Sequence, residues 1–513
     1  MPSASNARPG RPLRDHVRAN AFALLMLLTP CTYAMAADMP AASPGDSAEL
    51  LARIARVENG LSSRIVIKGR PGQKTPLAER MAYHHVPAVS IALINNHRIE
   101  WARAYGTLES GSQRPATPDS LFQAGSVSKS VTAVGALRLV ELGRLNLDGP
   151  VNTQLRQWKV PDNAFTQQQP VTLRALLNHS AGMNVHGFFG YPQGQPLPTL
   201  PQILEGVAPA TSDPIRVEAT PGTAWTYSGG GYTVIQALMS DVSQQPFPDV
   251  MQVQVLDPLQ MHDSTFATEL PSTWRARAAH AHPADGKPVP GGWYVYPESA
   301  AAGLWTTASD LAKLVLEVQQ AQHGAPGRVL SGPMTDAMLT RGLGEYGLGF
   351  YVERLGAGSS FAHTGGTHGF RAQLYGYSNT GQGIVVLTNS DSGAALVDEI
   401  LVSVAAEYGW PEFQTIEKTA LAPDPAVNAE VAGDYLLLDK PAHVVAEGDR
   451  LYFQSDLFGA QRMELFPLSA RTFFMTAQDM TLQFPVANAG KVEGFSLNRG
   501  ATVYPATRNQ VDE

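Results

Sequence analysis

The sequence predicts an α/β (α+β) chain: an antiparallel sheet flanked by helices and interrupted by a helical insert, followed by a small C-terminal all-β barrel. Three observations predict it. Short apolar runs separated by turn residues occur both before residue 110 and after residue 360. The stretch between them carries helical periodicity among many Gly and Pro residues. After Trp410 the chain changes to closely spaced strand patterns without helices.

Bulk properties set the frame. A chain of 513 residues suits two or three domains. With 44% hydrophobic and 16% charged residues it is a folded protein rather than a disordered one. Its net charge of -8 argues against nucleic acid or an anionic membrane surface as partner.

Taken in order, Arg8, Arg11, Arg14 and Arg18 form a basic front, Ala21 to Leu28 an apolar stretch, and Ala34-Met35-Ala36 a small-residue cleavage site. This reads as a signal peptide, 1–36, too short to span a bilayer, so the protein is expected in the periplasm or secreted, with no stable membrane span once the signal is removed. Cys31 is the single cysteine, so a mature chain would have no thiol nucleophile, thiolate metal site or disulfide. A flexible lead-in, 37–50, overlaps the start of a helical pattern over Ala48 to Val57. Val89 to Ile94 and Ile99 to Tyr105 flank Asn95-Asn96 and read as a hairpin at a sheet edge. Ser126 to Leu142 is apolar on both faces, the mark of a buried helix, and Gly143 ends it. Ile235, Leu238, Met239 and Val242 mark a second helix. The Gly- and Pro-rich stretch Gly187 to Pro201, with Phe188, Phe189 and Tyr191, suits either a pocket wall or a plain surface loop. Phe370 to Tyr377 and Gly383 to Thr388 read as strands, and Ala394 to Tyr408 as a helix against them. The main domain is thus placed at 51–410, a Pro-marked linker at 411–430, and the β domain at 431–513, with strands at Asp434–Leu438, Ala442–Ala446, Leu451–Gln454, Arg471–Met475, Thr481–Phe484 and Val492–Leu497.

Three short motifs carry chemistry. In Gly125-Ser126-Val127-Ser128-Lys129 the three-residue step puts Ser126 and Lys129 on one helix face. A serine hydroxyl needs a base, and burial turns lysine into one by favouring its neutral form. A helix N-terminus also offers N–H groups to an oxyanion. By itself the motif better describes a Ser N-cap and a solvated Lys. In Pro221 to Gly229, Tyr227 is a candidate base or relay, or a tyrosine packed at a turn. In His363-Thr364-Gly365-Gly366, glycine backbone lets a substrate lie beside a strand, and His363 could donate to a substrate carboxylate or carbonyl, or to the tyrosine. His280-Ala281-His282 and His84-His85 lack a third metal ligand and read as structural. No Gly-x-Ser-x-Gly elbow is present.

The order of these motifs resembles the S-x-x-K, Y-x-N and K/H-T-G set of the class C β-lactamase and DD-peptidase family, the penicillin-binding-protein-like serine hydrolases of peptidase group S12. Leu176 to Gly182, Asp257 to Met261 and Ala302 to Leu311 match further stretches of that family, so the resemblance runs from about Leu51 to Gly409. The last part resembles the lipocalin-like barrels of some members. The resemblance implies the β-lactamase/transpeptidase-like fold and an acyl-enzyme on Ser126. Lys129 and Tyr227 would move the proton, with His363 beside them. The N–H groups of Ser126 and Gly366 would hold the oxyanion, and Thr364 and Gly365 would line the substrate. It implies no metal or organic cofactor. The expected partner is a small-molecule ester or a D-amino-acid-containing peptide or amide. A β-lactamase and a non-catalytic sensor of cell-wall fragments are the alternatives. Two departures bear on the choice: Gly229 stands where the family has Asn, and His363 where lactamases have Lys.

Overall fold

The computed structural model describes residues 47–509, apart from 71, 325–326, 356–357, 459–461, 486–491 and 500–501. The expected signal peptide, residues 1–36, and most of the lead-in lie outside the described residues. Among the described residues no helix is long and apolar enough to cross a membrane.

A six-stranded antiparallel sheet is built from both ends of the main region. Its strands are β1 (Ala88–Asn95), β2 (Arg98–Gly106), β3 (Tyr351–Leu355), β4 (Gly358–Thr367), β5 (Phe370–Tyr377) and β6 (Gly383–Thr388), in the order β2-β1-β6-β5-β4-β3. Side chains alternate across the pleat, so each strand feeds two cores. Ala92, Phe370, Leu374 and Val385 face the helical insert. Ile91, Leu93, Tyr375 and Val386 face α1 (Ala48–Glu58) and the C-terminal helix of the region (Gly393–Tyr408). The hairpin, the two late strands and the last helix lie where the sequence predicts them.

The insert carries α2 (Val127–Glu141), α3 (Gly229–Ser243) and α4 (Ala308–Gln322). Every residue of α2 from Val127 to Leu137 is buried, as its apolar circumference predicts. Its polar residues are tied to backbone: Ser128 Oγ donates to Gly125 O (2.6 Å), Ser130 Oγ to Gly349 O (2.7 Å) and Thr132 Oγ1 to Ala300 O (3.1 Å). These bonds satisfy hydroxyls that burial would otherwise leave unpaired. They also fix the segment around Ala301 against the helix.

Two expectations change. Residues 411–430 hold regular structure: Ile416–Lys418 pairs in parallel with Ile65–Ile67, and Pro425–Val431 is a short helix capped by Asp424. The β domain is a closed barrel of eight strands spanning 433–508, including two that the sequence patterns do not mark, Met463–Ser469 and Thr502–Arg508. Its interior is filled by Tyr435, Phe453, Phe473, Met475 and Phe495 among others. The barrel docks on the α1 side of the sheet. Leu421 N donates to Pro467 O, and Lys418 pairs with Asp479 at 2.8 Å.

Phe370 is fully buried and meets Phe122 and Trp305 edge-on, joining sheet to insert. Phe370→Ala should lower unfolding stability by about 3–5 kcal/mol, read from the main-domain transition in urea.

Candidate active site

Three elements bring the predicted residues together. Ser126 is the N-cap of α2, and Lys129 follows one turn later with its Nζ 3.0 Å from Ser126 Oγ. Lys129 Nζ also donates to Ala301 O at 2.8 Å. Lys129 is almost wholly buried, and among the described residues no carboxylate pairs with it. Burial therefore lowers its pKa to about 7. A large share of the amine is neutral near pH 7, the form a base requires.

Tyr227 lies in the extended turn before α3, with its hydroxyl near Ser126. Lys129 Nζ is 5.0 Å from the Tyr227 ring centroid. Burial raises the phenol to about 12, so it remains protonated at neutral pH. His179 braces this turn. Its Nδ1 accepts from Ser228 N (3.1 Å), its carbonyl from Thr226 N (2.8 Å), and its ring lies 4.3 Å from that of Tyr227. His179 has a left-handed backbone, φ 60°, uncommon for a side chain of this size and in keeping with a constrained position.

β4 forms the opposite wall. The structure places His363 to Gly366 inside this strand, which directly precedes the Phe370 strand. β3 pairs with β4 only from Gly358 to Ala362, which leaves the edge beyond it uncovered. The tight turn at His368-Gly369 makes Thr367 and Phe370 the closing hydrogen-bonded pair. By alternation Gly366 sits in a non-hydrogen-bonded pair, and its N–H points out of the β5 ladder toward the open edge. Backbone contact at this edge is close. A Cβ on Gly125, whose φ is +52°, would lie 2.5 Å from Gly366 N, and one on Gly365 would lie 1.9 Å from Ala124 O. Only glycine permits that approach. The Ser126 and Gly366 N–H groups thus come from neighbouring backbone.

The side chains of β4 divide. Thr364 is exposed toward the open edge, while His363 is buried. His363 Nδ1 donates to Thr364 O (2.6 Å), and Nε2 accepts from Tyr346 Oη at 2.9 Å. Both nitrogens are occupied, and burial, with Lys129 nearby, lowers the ring to about pKa 3. His363 is therefore a neutral packing and positioning group at 6.4 Å, ring to ring, from Tyr227. The expectation that it donates to a substrate carboxylate or to Tyr227 does not fit this arrangement.

Gly229 opens α3, and a Cβ there would meet the Phe188 ring at 3.0 Å and His186 O at 3.3 Å. The loop ahead of Tyr191, fixed by a 2.6 Å bond between His186 Nδ1 and Tyr227 O, occupies the place of the family's Asn side chain. His84, His280 and His282 are structural. His282 bonds Ser110 N and Asn389 O, His280 lies beside Arg114 and Glu109, and His84 pairs with Glu399 at 3.0 Å. The motifs do not assign a role to His179, Tyr346 or Ala301. His179 lies in a family-like stretch, Leu176 to Gly182, whereas nothing local marks Tyr346.

Residues 76–407 match the model of the Beta-lactamase family. Penicillin-binding protein 4 of Amycolatopsis lactamdurans is 25% identical over 368 residues, covering 69% of this chain and 93% of that protein. Esterase EstB of Burkholderia gladioli is 30% identical over 211 residues, 39% of this chain and 51% of that one. The octameric penicillin-binding protein homologue from Pyrococcus abyssi shares the fold, with a TM-score of 0.58 at 21% identity over 84% of this chain and 98% of that one.

The neutral fraction of Lys129 increases as pH rises through about 7. Covalent labelling of Ser126 by a fluorophosphonate should therefore accelerate with pH along a limb near 7 and level off above it. Lys129→Arg, charged at every accessible pH, should remove the limb and slow labelling by about 10²–10⁴-fold.

Proposed function

Since this chain belongs to the Beta-lactamase family and is a serine hydrolase, we propose that it cleaves an ester or a D-amino-acid-containing peptide or amide through an acyl-enzyme on Ser126. The observation that carries this reading is Lys129 Nζ, buried without a countercharge 3.0 Å from Ser126 Oγ. In this mechanism Ser126 Oγ attacks the carbonyl carbon and its proton passes to neutral Lys129. The tetrahedral oxyanion accepts from the Ser126 and Gly366 N–H groups. Tyr227, protonated at neutral pH, donates to the departing alkoxide or amine and is reprotonated from Lys129. Water then attacks the acyl carbon, and the same groups return the proton to Ser126 Oγ.

Two features favour esters and amides over β-lactams. His363 offers no cation to a substrate carboxylate, and Phe188 fills the place of the Asn that would hold a lactam side-chain amide. The likeness to an esterase agrees with this. The basic and apolar segment within 1–36 supports action outside the cytoplasm, and the N-terminal mass of the mature protein tests it.

Ser126→Ala should lose ester hydrolysis by on the order of 10³-fold or more and lose fluorophosphonate labelling entirely; full retention of activity would overturn the assignment. Incubation with benzylpenicillin, followed by intact mass, should show little adduct and little drug consumed. Gly229→Asn alone should displace Phe188 and lower ester turnover several-fold without conferring lactam turnover, measured against the same esters and a chromogenic cephalosporin.

A further inference from the structure

Glu298 is a buried carboxyl that the acyl-enzyme mechanism leaves unused. It is 0% exposed, and no hydrogen bond of normal geometry reaches either of its oxygens among the described residues. A buried carboxylate without a countercharge is costly, so the neutral acid is favoured. Burial raises the group to about 7, against the opposing pull of its own N–H and of the Tyr191 hydroxyl nearby. The other titratable group beside it is Tyr296, which also interacts with Arg371 and Asp391, themselves paired at 2.9 Å.

Glu298 joins two parts of the site. On one side it caps the short helix Ser299–Ala302, its carbonyl accepting from Ala301 N and Ala302 N at 3.0 Å each. That helix supplies Ala301 O to Lys129 Nζ and is tied to α3 by Gln236 Oε1, which accepts from Ala300 N at 3.0 Å. On the other side its carboxyl adjoins Tyr191, at the end of the loop that carries Phe188. Tyr191 Oη accepts from Thr211 N at 3.2 Å, which leaves its own proton for the carboxyl. The loop starts on the catalytic turn, where Gly229 N donates to His186 O (3.1 Å) and Gly230 N to Val185 O (3.0 Å). It then reaches the turn between β4 and β5: Tyr296 Oη donates to Phe189 O (3.3 Å) and accepts from His368 N (2.9 Å). Its last anchor is short, a two-residue pairing of Tyr191-Pro192 with Tyr294-Val295. Phe189 is 84% exposed and adds little packing. A few polar contacts therefore hold Phe188 against Gly229, and the one at Tyr191 changes character with a single proton.

We propose that Glu298 is a positioning residue that latches the Phe188 loop: as the neutral acid it lets Tyr191 stay docked and Phe188 stay against Gly229, and as the carboxylate it draws in water and releases both. Release opens the wall that the family's Asn side chain would occupy, so the site takes bulkier acyl groups. That consequence rests on the reading of Ser126 as nucleophile; the latch itself does not. In the open loop the hydrated carboxyl ionises in the ordinary range, and in the closed loop only near pH 7. The closed state is thus fully favoured below the ordinary carboxylate range and loses that advantage as pH rises through about 7.

The first test is hydrogen exchange of segment 186–196 in the full chain, corrected for intrinsic rates and read without turnover. Opening should be on the order of 10²-fold more frequent at about pH 8 than at about pH 5, and level off above about 7. Glu298→Gln should flatten that profile. Tyr191→Phe removes a group that favours the carboxylate and should move the levelling-off to higher pH. The second test is the ratio of kcat/KM for a phenylacetate ester to that for the acetate of the same alcohol, in which ionisation of Lys129 cancels. It should rise several-fold over the same pH range in the unsubstituted chain and stay level in Glu298→Gln. Exchange that does not change with pH in the unsubstituted chain, or a profile the same in both variants, would overturn the latch. Should neither ester be hydrolysed while exchange keeps its dependence on Glu298, the latch stands and the hydrolase reading of Ser126 falls.

Discussion

The site depends on a close approach between two backbones. β4 passes the start of α2 with no side chain between them, because Gly125 and Gly365 leave the space free. That contact sets the N–H of Gly366 beside that of Ser126, on an edge that β3 leaves uncovered. It also seals the base of α2, so Lys129 lies in protein rather than water. A side chain at either glycine would push the strand away and admit solvent. Both the oxyanion donors and the altered amine would then be lost. Electrostatic preorganisation and base strength thus share one steric cause.

Burial without countercharges gives the centre a consistent protonation pattern. Lys129 is depressed toward neutrality, Tyr227 is held as the phenol, and His179 and His363 are held as neutral rings. Among the described residues, the charge within the Ser126–Lys129–Tyr227 cluster is the protonated fraction of Lys129, while the Arg371 guanidinium lies beside Gly366. Such a centre suits a reaction in which one proton shuttles between oxygen and nitrogen.

Much of this was legible in the sequence, for physical reasons that can be named. Strands at Phe370 to Tyr377 and Gly383 to Thr388 are unbroken runs flanked by turn residues. The helix after Ser126 is apolar all round because it is buried all round. β4 was not readable as a strand, since Gly358 to Thr367 is mostly small and polar, and its glycines serve α2 rather than the sheet. Two barrel strands were hidden by Pro467 and Pro505, which ordinarily argue against a strand interior. The ladder has a register shift next to Pro467, where the irregularity is absorbed. Ser126, Lys129 and Tyr227 converge as their order suggested. The orientation of His363 was not readable. It depends on Tyr346, seventeen residues earlier, in a stretch with no motif of its own.

The barrel narrows the question of what chooses the substrate. The sequence likened it to lipocalin-type barrels, whose name suggests a bound ligand. Yet its interior is packed with aromatic and Met side chains, and it docks through 418–421 on the α1 side of the sheet. Around the catalytic centre the described walls belong to the main domain itself: the Phe188 loop over Gly229 on one side, and the open edge of β4 on the other. Both sit where this chain departs from the family pattern, at Gly229 and His363. The substrate is therefore to be sought in the chemistry of those two walls, one set by Phe188 and one by the backbone edge of β4.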